Sequence, residues 1–150
     1  MKYLLALLLL IPCLSWGNNM KFLVCYNNLY ELQSIGLKLN TNTKLFTSYH
    51  IKQADGEYFL NSYTSSDNRY FESADYLSFK IKSFFGFRTW GVNRKDLSWG
   101  EILSGSIRPN ELGKCKIIDT EQNLISSLET MIEDNLKRNK IKKDDKNTSI

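Results

Sequence analysis

The chain has one histidine, three cysteines and only a slight excess of basic over acidic side chains, 20 Lys and Arg against 16 Asp and Glu. Each shortage excludes a class of chemistry. A usual zinc site needs convergent thiolates and imidazoles, and a single His50 with cysteines committed elsewhere cannot build one. No neighbouring Ser or Asp suggests a triad around His50, so a structural or surface role is expected of it. The cysteines are not arranged as C-x-x-C and have no histidine beside them, which argues against redox or nucleophilic use. Asp67-Asn68 and Asp75 lack the spacing of a calcium loop, so neither a metal nor a cofactor is expected. The charge balance is too mild to imply nucleic acid. No internal repeat is detectable.

What is present begins with MKYLLALLLLIPCLSWG, in which Lys2 precedes an apolar run and small residues flank Trp16. This is the pattern of a secretory signal peptide, with cleavage expected after Gly17. A retained membrane anchor is the alternative, but a span needs about 20 apolar residues and Pro12 interrupts this shorter run. Cys13 goes with the discarded segment, and the only membrane contact expected is through an uncleaved leader. Residues 18–150 then enter a periplasmic or secreted compartment, where Cys25 and Cys115 should pair. Closing that loop of about 90 residues stabilises by roughly 4–5 kcal/mol in the chain-entropy picture.

Residues 18–118 read as one disulfide-stapled β domain. Lys21–Asn27 alternates Phe22, Val24 and Tyr26 against Leu23 and Cys25, as in a strand covered on both faces. Leu37–Leu39 and Lys44–Ile51 follow. Asp55-Gly56 is a type I′ hairpin signal joining Tyr49-His50-Ile51 to Tyr58-Phe59-Leu60. Ser65-Ser66-Asp67-Asn68 predicts a turn before Arg69–Glu72, and an aromatic stretch runs from Tyr76 to Trp90 with Gly86 as a bulge or bend. Asn93-Arg94-Lys95-Asp96 turns the chain into Leu97-Ser98-Trp99, and an irregular connection leads to a last strand, Gly113–Ile118. The expected class is mainly β, an antiparallel barrel or sandwich of about seven or eight strands.

Apolar residues at Leu124, Ile125, Leu128, Met131, Ile132 and Leu136 then fall at helical spacing, predicting a C-terminal amphipathic helix over 119–141. Asp119 and Gln122 form a candidate capping box. The apolar stripe packs on the β domain or binds a partner or membrane surface. Residues 142–150 are charged, lack aromatics and are expected to be disordered.

A cysteine in the first strand, then Val92-Asn93-Arg94-Lys95-Asp96-Leu97, then Gly113-Lys114-Cys115-Lys116-Ile117, resembles small uncharacterised exported bacterial proteins. In those an "I-N-R-x-T-L" strand precedes a closing "G-x-C" strand; Lys95-Asp96 departs from their threonine. The resemblance implies a compact β-barrel or sandwich tied by its terminal strands, and supplies no activity. The layout is also similar to periplasmic inhibitors of c-type lysozyme, in architecture alone.

Phe79, Phe84, Phe85, Phe87, Trp90 and Trp99 lie close together, interleaved with Lys80, Lys82, Arg88, Arg94 and Lys95. They read either as core with snorkelling cations or as a basic-aromatic binding face. No catalytic residue is nominated, since Glu57, Glu72, Asp75 and Glu101 sit at expected turns or strand ends. The first functional expectation is a noncatalytic binding or inhibitor-like module, presenting Trp90, Asn93, Arg94 and Trp99 to an envelope protein or polymer. The second is a lipocalin-like carrier of a small apolar ligand inside the barrel. An enzyme acting on envelope polymer is the third.

Overall fold

Alternation in the first strand, β1 (Met20–Cys25), sends Leu23 and Cys25 one way and Phe22 and Val24 the other, and both sets are buried. One set faces the inside of a barrel and the other lies under a helix. The computed structural model describes residues 19–83, 86–106 and 109–147; the expected leader at 1–17 lies outside them. β1 is followed by β2 (Ile35–Asn40), β3 (Leu45–Ala54), β4 (Glu57–Glu72) and β5 (Tyr76–Ser83). Then come β6 (Gly86–Asn93), β7 (Ser98–Glu101), β8 (Asn110–Ile118) and one helix, α1 (Glu121–Asn147). Each strand pairs antiparallel with the next, and β8 returns to β1 to close the barrel. Closure gives every strand two neighbours, although β4 meets β5 only through Tyr70–Glu72.

Cys25 and Cys115 are direct partners on that β1–β8 seam and form a disulfide across 90 residues of sequence. The bond fits an oxidising, extracytoplasmic compartment. Beyond the seam the chain crowds closely: a Cβ on Gly113 would stand 2.0 Å from the Tyr26 carbonyl oxygen. Only glycine permits that approach.

The Asp55-Gly56 hairpin is as the sequence predicts, with φ of 53° and 82° at the two central residues. The predicted turn at Ser65–Asn68 is instead part of β4, which runs unbroken from Glu57 to Glu72. Thr47 faces Thr64 while Leu45 faces Arg69, so the four residues form a wide bulge. Bulging bends a strand and raises its twist. Here it lets β4 leave β3 and pair with β5 through Tyr70–Glu72. Gly86 closes the β5–β6 hairpin, facing Ser83 at φ 118°, rather than bending one long strand.

Leu124, Leu128, Met131 and Ile132 bury the inner face of α1, with Leu124, Leu128 and Met131 packed on Phe22, Val24 and Tyr49 outside the barrel. Gly36 on β2 makes room, since a Cβ there would meet Leu124 Cδ2 at 2.7 Å. Thr120 caps the helix, its hydroxyl accepting from the Asn123 amide at 3.1 Å, one residue later than the predicted Asp119 box. The helix also passes the predicted end at residue 141 and runs to Asn147. No glycine or proline occurs from Asp119 to Asn147 to stop it.

At its N-terminal end α1 is clasped to the sheet by Glu121, which accepts from the Tyr49 hydroxyl and pairs with Lys38 Nζ at 2.6 Å. Both contacts hold the Glu121 carboxyl below the usual range, Lys38 first and Tyr49 second. Burial, with Glu121 beside it, pushes the Tyr49 phenol up. Farther along, Arg138 pairs with Glu31 in the 3₁₀ turn Glu31–Gln33.

Candidate functional site

An eight-stranded barrel is just wide enough to be filled by side chains or to hold one small ligand. This barrel does both, at different heights. Its lower part is packed solid by Leu37, Leu39, Phe46, Tyr70, Phe79, Val92 and Trp99. Phe46 and Phe79 meet edge-on with centroids 5.3 Å apart. Above this plug polar groups join the inward positions, and a cup of about 430 Å³ opens at the end where β2 begins and β3 leaves.

Register explains which side chains reach the cup. His50 sits between Ile35 on β2 and Asn61 on β4, while Ser48 faces Tyr63 one step deeper. Across the barrel, Ile81 faces Arg88 and Phe79 faces Trp90. Ile35, His50, Asn61, Tyr63, Ile81, Arg88 and Trp90 all line the wall. Lys52 and Lys82 line it too, and Asn27, Leu32, Gln33 and Ser34 contribute from the β1–β2 connection.

That connection is pinned. The Asn27 amide donates to Ser34 Oγ at 2.9 Å, and Asn27 Oδ1 accepts from the amides of Leu29 and Tyr30, each at 2.9 Å. Local side-chain acceptors of this kind hold a loop in one turn conformation. The wall therefore has fixed backbone on this side as well.

The predicted site residues are separated by the fold. Trp99 does not belong to a surface: it is 1% exposed, and its indole N–H donates to the Tyr26 carbonyl at 2.7 Å. Its register opposite Val92 turns it into the barrel. Trp90 is half-buried, stacks on Trp99 at 5.3 Å between centroids, and forms part of the cup. Asn93 and Arg94 lie at the opposite end of β6 and build a turn. Asn93 Oδ1 accepts from the Lys95 amide at 2.8 Å, and Arg94 Nη1 donates to the Ser73 carbonyl at 2.8 Å. Asp96 completes that turn; the Ser98 amide, then Lys114, hold its carboxyl far below the usual range. Of the aromatic cluster, Phe79 and Trp99 are core, Phe87 is exposed, and Phe84 and Phe85 lie outside the described residues.

His50 is the residue that sequence reasoning undervalued. Its Nε2 shares a hydrogen bond with Ser48 Oγ at 2.9 Å, a neighbour two positions away on the same strand face. Ser48 is fully buried and is not part of the cavity wall, so the pair orients the ring rather than presenting a nucleophile. Burial, then the nearby Lys52 charge, pushes the His50 imidazole down to about 4. At neutral pH it is an uncharged polar wall group. The signal that could have found the cup is the inward sequence Ser48, His50, Lys52, where polar residues interrupt the apolar alternation begun by Phe46.

Among the described residues no group of three His, Cys, Asp or Glu side chains converges to hold a metal ion. Arg88 is loosely tied to Glu101 at 3.5 Å. The cup therefore offers hydrogen-bonding groups, cations and one indole, in a concavity of the size that small molecules occupy. No family model matches the chain, and neither a curated protein nor a solved structure matches it, so the site is read from its own geometry.

Proposed function

We propose that this protein is a noncatalytic, extracytoplasmic binding module whose ligand is a small molecule taken into the mouth of the barrel. One observation carries the reading: an open space of about 430 Å³ inside the strands, above a sealed aromatic plug. A barrel filled to the rim would have left only outer surfaces for binding. The plug makes the cup blind, which suits holding over conduction. Most pocket residues sit on strands of a disulfide-tied scaffold and the rest on a connection held by Asn27 and Ser34, so little ordering is needed on binding.

The test uses two fluorescent probes of similar shape, neutral phenylnaphthylamine and anionic anilinonaphthalene sulfonate. At least one is expected to bind saturably with one-to-one stoichiometry. Asn61→Trp, at an exposed position on the cup wall, should abolish that binding while leaving the far-ultraviolet spectrum and the disulfide unchanged. Absence of saturable binding by both probes, or binding indifferent to Asn61→Trp, would overturn the reading.

A further inference from the structure

Resting on that reading, we infer that the cup selects a small organic anion with an apolar body, its acid group facing Lys52 and Arg88, with the Lys82 charge beside them on the outer face of β5. The charge distribution points this way. Three cations line the cavity, and no carboxylate does among the described residues. Neither Lys52 nor Lys82 has an ion-pair partner among the described residues. Arg88 is held only at 3.5 Å by Glu101, a separation well beyond the 2.7–2.9 Å of a firm charged hydrogen bond, so its guanidinium can turn to a ligand.

Low-dielectric walls concentrate the field of such charges inside a concavity. The lining also includes Trp90, Ile81 and Ile35, with Ile35 level with His50 and Ile81 level with Arg88. An indole face with two branched aliphatic chains favours an aromatic or branched hydrocarbon body over a sugar or a simple inorganic ion. The uncharged His50 and Asn61 beside these apolar residues can hydrogen-bond the ligand without adding a competing charge. A purely apolar ligand would bury these polar groups unpaired, at a cost the anion avoids.

The two probes differ mainly by one sulfonate, so their ratio reads the charge preference directly. Anilinonaphthalene sulfonate is expected to bind at least about tenfold more tightly than phenylnaphthylamine at low salt. Lys52→Gln with Lys82→Gln, both exposed positions, should weaken the anionic probe by about tenfold and leave the neutral probe within about twofold. Added salt should weaken only the anion. Arg88 is left intact in this test, because its loss would strand Glu101. Equal affinities for the two probes, or an anion-to-neutral ratio unchanged in the double variant, would overturn the inference while leaving the binding cup standing. Failure of both probes to bind would overturn the cup itself, and this inference with it.

Discussion

Trp90 and Trp99 stack on each other yet have different surroundings, and their register decides which. Trp99 is sealed among core residues with its N–H satisfied by the Tyr26 carbonyl, whereas Trp90 keeps one side open to the cup. Trp99→Phe leaves that carbonyl without its donor and opens space in the plug. We expect a loss of about 1–3 kcal/mol, read from the urea midpoint; an unchanged midpoint would contradict the assignment. His50 gives the pH prediction. Its imidazole drops from an ordinary 6.5 to about 4 on folding, so the unfolded chain binds the extra proton between those values. Stability contributed by the neutral ring is complete above pH 6.5 and is lost as pH falls toward 4. From pH 7 to 5 the unfolding free energy should fall by on the order of 2 kcal/mol, and His50→Gln should flatten that slope. The sequence marks Trp90 and Trp99 as notable and leaves core and binding face open for both, because alternation alone does not say which face of a strand points inward.

At the scale of elements, most strands are readable from period-two alternation and turn chemistry. The Asp55-Gly56 hairpin follows from the positive φ that both positions adopt. The bulge at residues 65–68 is not readable as such, because a polar four-residue cluster signals a turn and a bulge alike; which one forms depends on a non-local need, the handover of β4 from β3 to β5. The helix face is legible from its spacing, whereas its partner surface of Phe22, Val24 and Tyr49 comes from tertiary packing. Leu128→Ala should cost about 2–5 kcal/mol by leaving a cavity under α1, measured by chemical denaturation. Glu121→Gln weakens the clasp to Lys38 and should cost about 1 kcal/mol or less, since the pair is partly solvated. Similar losses for the two variants would mean that polar contacts rather than apolar burial hold the helix.

For the whole molecule, a mainly β body with a disulfide between its first and last strands follows from a leader-like N-terminus, two remaining cysteines and a run of short strands, whereas closure into a barrel rather than a sandwich is seen only in the strand pairing. The cup does not follow, because its wall comes from five strands and a loop far apart in sequence. Cys25→Ala with Cys115→Ala should lower stability by up to roughly 4–5 kcal/mol, and the same shift should appear on reducing the parent protein. A much smaller loss would mean that the unfolded chain remains compact without the bond.

The position of that bond also bears on survival in a protease-rich surrounding. Every exposed hairpin tip between Cys25 and Cys115, the Asp55-Gly56 tip included, lies within the covalently enclosed part of the chain. A single nick there frees no fragment. The two pieces stay joined at the seam and held by the remaining strand pairs, so a clipped molecule should migrate as one band until reductant is added. Damage at its most accessible points would then cost the protein a peptide bond without costing it the cup.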